Sequence, residues 1–258
     1  MLTSEEGVRL GDPVDKKARV ICLHGFPGHP TDWDFLAHDT DRDFLSVPMP
    51  WLAHIPEWTL NFDNVVAYCR TILDEHMAKP THVVGHDLGA LVLWKLSQGE
   101  TNRNLASMSI LSCPHPQAYL EFTGSPDYKT RTGYIDNLLR DPTSYVSPFV
   151  QSGERGSDQI AAHLKDTDFT RISTLYSDIV SGGQRSISTD PVGIDVPIAL
   201  IAGRDDFVLG PRTMERSAEL VAGPVKTMFL DSDSHFPHLT NPETVNTFLE
   251  EFWNATGH

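Results

Sequence analysis

The segment Val83-Val84-Gly85-His86-Asp87-Leu88-Gly89-Ala90 narrows the folds open to this chain more than any other. The run from His82 to Val84 reads as a buried strand and Leu88 to Leu96 as a helix, while two glycines bracket a turn too tight for larger side chains. So sharp a bend lifts the intervening side chain above a parallel sheet, at a helix N-terminus whose dipole and free N–H groups favour negative charge. That side chain is Asp87, in a position more often held by serine. Serine must lose a proton before it attacks, whereas an aspartate of ordinary pKa, roughly 3.9, is already ionised near neutral pH. On an sp3 carbon serine would leave an inert ether, while aspartate leaves an ester that activated water can cleave. The residue choice therefore favours epoxide opening or halide displacement over ordinary ester hydrolysis.

The rest of the chain alternates as this bend requires. Arg19 to Leu23, Phe44 to Val47, His82 to Val84, Ala106 to Ser112, Ile198 to Ala202 and Val225 to Leu230 read as six buried strands. Phe62 to Met77, Arg212 to Val221 and Pro242 to Trp253 have helical spacing. The expected fold class is α/β, a mostly parallel, doubly wound sheet with helices on both faces. Between Pro114 and Asp195 the rhythm breaks into a stretch rich in Tyr, Ser, Asp and Gly, with helical pieces at Tyr134 to Leu139 and Phe169 to Val180. Gly153 to Gly156 and Ser181 to Ser188 read as its loops, the second as the return hinge. An insertion of this kind belongs over the carboxyl ends of the strands, where open α/β sheets bind ligands. Residues 1–113 and 196–258 are thus expected to form a core domain and 114–195 a helical cap.

Composition sets the partners. The 258 residues carry 20 basic and 35 acidic side chains, a formal charge of −15, which repels nucleic acid and anionic membranes. Cys22, Cys69 and Cys113 are odd in number and lie in apolar surroundings, so they read as core fillers in a reducing compartment. Met1 to Gly11 is polar and acidic, unlike a signal peptide, and no apolar run approaches the roughly 20 residues needed to span a bilayer. The expectation is a cytoplasmic protein, monomer or homodimer, acting on a small and mainly apolar organic molecule, with no nucleic-acid or membrane partner.

Three further segments fall where an aspartate nucleophile needs them. His24-Gly25-Phe26-Pro27-Gly28 follows the first strand, and the Phe26 N–H can pair with that of Leu88 to bind an oxyanion. Gly203-Arg204-Asp205-Asp206-Phe207 places an acid beyond the fifth strand, with Asp206 the better candidate and Asp205 in reserve. After the sixth strand, Ser234-His235-Phe236-Pro237 offers His235 ahead of the last helix, with His238 close by. Chain order is nucleophile, acid, histidine. His24, His86 and His115 read as structural residues of their turns. Trp33, Phe207 and Phe236 are candidates to line the substrate site, with Trp51, Trp58 and Met49 either joining them or filling the core.

In these segments the chain resembles the α/β-hydrolase superfamily, and within it the epoxide hydrolase and dehalogenase branch with an aspartate nucleophile. Ser112-Cys113-Pro114-His115-Pro116 is similar to the Pro-His-Pro segment leading into the cap of many epoxide hydrolases. Leu175-Tyr176-Ser177 is similar to the late cap segment bearing one of their ring-opening tyrosines. Tyr134 resembles the other in placement, with Tyr128 as the fallback. The resemblance implies an α/β-hydrolase fold and no metal or organic cofactor. It implies an epoxide opened to a vicinal diol through an ester on Asp87, with Tyr134 and Tyr176 protonating the ring oxygen and His235, paired with Asp206, activating water. The alternatives are a haloalkane or haloacid dehalogenase using the same aspartate, an ester or lactone hydrolase or cofactor-free lyase on the same scaffold, and a binder that does no chemistry. The chain departs from the pattern in having Val47-Pro48-Met49-Pro50-Trp51 where an Asp-x-Arg-Gly turn is usual. Haloalkane dehalogenases carry a tryptophan after the nucleophile and a donor such as asparagine after His-Gly, and fluoroacetate dehalogenases an arginine after the nucleophile. Leu88 and Phe26 stand in those places here, so halide and carboxylate recognition lose support.

Overall fold

Neighbouring side chains on a strand point to opposite faces, and that alternation builds two cores on one sheet. The computed structural model describes residues 8–10, 19–37, 42–52, 60–98, 104–142, 145, 147–182, 196–210, 212–232 and 234–257. Among these, seven strands form one sheet: β1 (Val8–Leu10), β2 (Arg19–Leu23), β3 (Phe44–Val47), β4 (Thr81–His86), β5 (Leu105–Leu111), β6 (Ile198–Gly203) and β7 (Val225–Leu230). Their order is β1-β3-β2-β4-β5-β6-β7. Strands β2 to β7 run parallel, and β1 pairs antiparallel with β3 at the edge. The six expected strands are all present, each within two residues of its expected ends, but β7, expected to be buried, is an edge strand with no buried residue, and β1 is an addition.

Val20, Cys22, Val84, Ala199 and Ile201 face one way, onto α1 (Asp34–Ala37) and the C-terminal helices α10 (Pro237–Thr240) and α11 (Pro242–Ala255). Ile21, Leu23, Val83, Met108, Ile110 and Leu200 face the other way, with α2 (Phe62–His76), α3 (Leu88–Leu96) and α9 (Thr213–Leu220). Asn61 caps α2 by accepting from the Asn64 N–H. Strand order reverses at β2, with β3 on one side and β4 on the other. Ligands of open α/β sheets bind outside the strand ends at such a crossing.

Among the described residues, five α-helices stand between β5 and β6: α4 (Pro116–Thr123), α5 (Tyr128–Arg140), α6 (Pro148–Ser152), α7 (Ser157–His163) and α8 (Phe169–Ser181). Leu138, Ile172, Leu175, Tyr176 and Ile179 sink into the larger core. Helix α5 begins six residues before the expected Tyr134, and its polar first turns give no apolar stripe by which the sequence would mark that start. Most of the expected return hinge, Trp58 and the last part of the expected 114–195 cap lie outside the described residues. Among the described residues no helix is long and apolar enough to cross a membrane.

Candidate active site

Asp87 lies where β4 gives way to α3, at φ 49° and ψ −119°, a conformation that side chains rarely adopt. Two glycines make the bend possible by close approach. A Cβ on Gly89 would collide with the Leu23 carbonyl oxygen, and one on Gly25 would sit 2.5 Å from Asp87 Cβ. The turns after β2 and β4 are thereby pressed together, and the Phe26 N–H donates to Asp87 Oδ1 at 3.0 Å. Leu88 opens α3, so its N–H is among those with no carbonyl of their own helix to bond.

Asp206 and His235 come from the turns after β6 and β7. Asp206 is buried, and its Oδ1 accepts from the N–H groups of Val208 at 2.8 Å and Leu209 at 3.0 Å. Its Oδ2 stands 2.8 Å from His235 Nδ1, and His235 Nε2 is 3.4 Å from Asp87 Oδ2. The reserve Asp205 is exposed. His238 is buried against Trp33, its ring 4.7 Å away and nearly parallel, so it is His235 that reaches Asp87.

Burial opposes charge on His235, but the charge and hydrogen bond of Asp206 and the hydrogen bond of Asp87 outweigh it and lift its pKa to about 10. Burial likewise pushes the Asp87 carboxyl up, and the hydrogen bond and charge of His235 and the Phe26 N–H hold it below its ordinary value. The His86 pKa is lowered to about 4, chiefly by burial and the His235 charge, so as a neutral ring it donates through Nε2 to the His235 carbonyl at 2.8 Å. His24 is similar: burial brings its pKa to about 3, and Nε2 accepts from the Met49 N–H. Both histidines tie loops to the sheet, as their turns suggested.

Asp87 opens onto a cavity of about 580 Å³ whose walls include Tyr134 and Tyr176. Burial and the neighbouring charge of Asp87 push both phenols well above their ordinary pKa, so both stay protonated. Tyr176 is buried, its hydroxyl is close enough to that of Tyr134 for each to shift the other's pKa, and among the described residues it makes no other hydrogen bond. The fallback Tyr128 lines the same cavity, with its hydroxyl 3.3 Å from that of Tyr119. Cys113 lines this cavity as well, while Cys22 and Cys69 are core residues; all three are free. Among the described residues, no group of three or more His, Cys, Asp or Glu side chains is arranged to hold a metal ion.

The model of the alpha/beta hydrolase family matches residues 20–248. The chain belongs to that family. Epoxide hydrolase 2 of Caenorhabditis elegans is 19% identical over 285 residues, covering 98% of this chain and 77% of that protein. An epoxide hydrolase of Bacillus megaterium, solved with an inhibitor, aligns over 96% of each chain at 18% identity and a TM-score of 0.76. An N-acyl homoserine lactone degrading enzyme aligns over 95% of each chain at 14% identity and a TM-score of 0.68. At these identities the structural likeness shows the fold.

Within this alpha/beta hydrolase, three expected substrate-site residues lie elsewhere. Trp33 is wholly buried in the core on the opposite sheet face, because the turn carrying it packs on the C-terminal helices. Phe207 and Phe236 flank the His235 ring edge-on at 6.0 and 5.4 Å and do not line the Asp87 cavity. Trp51 and Met49 fill the core. Besides core residues such as Leu88, Leu91 and Leu209, the cavity walls include side chains of the inserted helices at helical spacing, Pro116, Tyr119, Leu120 and Thr123 on α4 and Tyr128, Thr132 and Ile135 on α5. That periodicity was the available signal for Tyr119 and Tyr128 as wall residues.

Proposed function

We propose that this alpha/beta hydrolase opens an epoxide to a vicinal diol through an ester on Asp87, with the helices between β5 and β6 serving as a cap. The observation that carries the reading is a pair of protonated phenols, Tyr134 and a buried Tyr176, that interact with each other and line the cavity onto which Asp87 opens. Two protonated phenols near a carboxylate suit an electrophile whose leaving oxygen needs a proton. Displacement of a halide needs a halide cradle, and Leu88 and Phe26 supply apolar side chains instead. Two of the three relatives named above are epoxide hydrolases, and the third degrades a lactone.

The proton inventory closes. Phe26 N–H holds Oδ1, so Oδ2 attacks a ring carbon while the C–O bond breaks and a tyrosine protonates the departing oxygen. Esterification removes the Asp87 charge that helps keep His235 protonated, so the imidazolium gives its proton to the tyrosinate and becomes a base. His235 then takes a proton from water, hydroxide adds to the ester carbon, and the Phe26 and Leu88 N–H groups bind the oxyanion. The tetrahedral species collapses, the released alkoxide takes the proton of the new carboxyl group, and Asp87 and imidazolium are restored. The cavity, walled by Leu88, Leu91, Ile135, Ile179 and Val208, suits a mainly apolar substrate. Three buried, free thiols fit a reducing compartment such as the cytoplasm.

Intact-mass analysis after mixing with an epoxide tests the reading. His235→Gln is expected to gain the mass of the epoxide and keep it, and Asp87→Asn to gain nothing. Normal turnover by the His235 variant, or halide release from chlorinated and brominated alkanes with no turnover of epoxides, would overturn it.

A further inference from the structure

The proposed reaction consumes two molecules of opposite character, an apolar electrophile and water, and two adjoining spaces meet where His235 Nε2 stands 3.4 Å from Asp87 Oδ2. Asp87 lines the cavity of about 580 Å³, and among the described residues His235 is absent from its walls. His235 lines a separate void of about 20 Å³ with Phe26, Tyr134, Tyr145, Ser147 and Phe207, and Asp87 is not among that void's described walls. Such a volume accommodates one water molecule, which needs two or more polar partners. The His235 ring and the hydroxyls of Tyr134, Tyr145 and Ser147 are the polar groups of the lining residues. Void and carboxylate are neighbours, because Phe26 walls the one and its N–H holds the other.

Outside the void lies an open cleft of about 950 Å³ beside α5 and α6, with Arg131, Asn137, Arg140, Asp141 and Gln151 on its walls. Among the described residues, cleft and void share Tyr134, Tyr145, Pro148 and Phe207, void and cavity share Tyr134 and Val208, and cleft and cavity share Tyr134 alone. Tyr134 thus forms part of the partition between an apolar chamber and a polar one. Resting on the reaction proposed above, we infer that the hydrolytic water reaches His235 from the polar cleft, through this void, and not through the cavity that admits the electrophile. Once the ester forms, its alkyl group fills the cavity, and water arriving that way would have to pass an apolar plug. The cleft route stays open throughout the cycle, so ester cleavage does not wait for the cavity to empty.

The test blocks the cleft without touching the reacting groups. Gly133 lines it, and a Cβ there meets nothing within 4 Å, so Gly133→Trp adds bulk without a clash at Cβ. Gln151→Trp narrows the same cleft from α6. Rapid quenching and intact mass, with styrene oxide and 1,2-epoxyoctane as probes, follow adduct formation and adduct loss separately. Expected are adduct formation at about the wild-type rate and adduct loss slowed by about tenfold or more in each tryptophan variant and further in the double variant, with Gly133→Ala like wild type. Adduct loss at the wild-type rate in the double variant overturns the water route and leaves the ester mechanism standing. Slowed adduct formation would assign the cleft to the electrophile and overturn it too. No adduct in any variant, His235→Gln included, would sink the ester mechanism itself and the route with it.

Discussion

His235 is held between two carboxylates, 2.8 Å from Asp206 and 3.4 Å from Asp87, and enters the proposed reaction already protonated. The sign of its pH dependence follows. Attack needs Asp87 ionised, and its pKa is depressed, so the adduct-forming rate is expected to be flat from mildly acidic pH up to about 10, where His235 in the free protein titrates. Adduct loss needs His235 neutral, and esterification of Asp87 takes away part of what raised its pKa. Adduct loss should therefore rise with pH through a midpoint below about 10, measurable by pH-jump and quenched mass analysis. A rate of adduct loss that falls as pH rises would contradict the assignment. Tyr176→Phe and Tyr134→Phe should each lower kcat/KM by about 10²-fold or more, with slowed adduct formation and normal adduct loss. Asp87, Asp206 and His235 were legible in sequence because each sits in a short turn directly beyond a strand, where local motif and chain order are enough. Trp33 was misread because its sheet face depends on how the C-terminal helices return to the core, which its neighbours in sequence do not encode.

The bend carrying Asp87 is built by two elements meeting, and its glycines answer to the neighbouring strand as well as to their own turn. Gly89→Ala would drive a methyl group into the Leu23 carbonyl of β2, so the helix must shift or the strand must give. The expected cost is about 1–3 kcal/mol, or roughly 2–4 °C of melting temperature per kcal/mol, by thermal denaturation. Because the Phe26 N–H that holds Asp87 Oδ1 follows β2, adduct formation should fall as well. A variant with wild-type melting temperature and wild-type adduct formation would show that this contact tolerates a methyl group. The interior strands were readable as elements, since strands covered on both faces appear as continuous apolar runs. The exception is β1, three residues in a polar and acidic stretch, whose strand character comes from antiparallel pairing with β3. The cavity walls were unreadable for a related reason. Spacing along α4 and α5 says which residues share a face, but only the packing of the insert says which face meets Asp87.

At the scale of the molecule, the insert and the core meet beside the base. Phe149 on α6 and Ile160 on α7 are buried with Phe236 and Leu239, and the Phe149 and Phe236 rings are 4.3 Å apart. Phe236 follows His235 directly, so the joint that seats the insert also seats the histidine loop. A second link, the Arg155–Glu243 ion pair at 2.8 Å, is exposed on both sides, and solvent screens such pairs strongly. The two contacts should therefore separate in mutagenesis. Phe149→Ala removes a buried ring and is expected to destabilise the protein by about 3–5 kcal/mol, seen as a lowered melting temperature. It should also slow adduct loss more than adduct formation, because the loosened loop carries His235 and not Asp87. Arg155→Ala should leave the melting temperature and both half-reactions as they are. If Arg155→Ala proved the more damaging of the two, insert and core would be held by surface charge, and the coupling drawn here between cap seating and the base would be wrong.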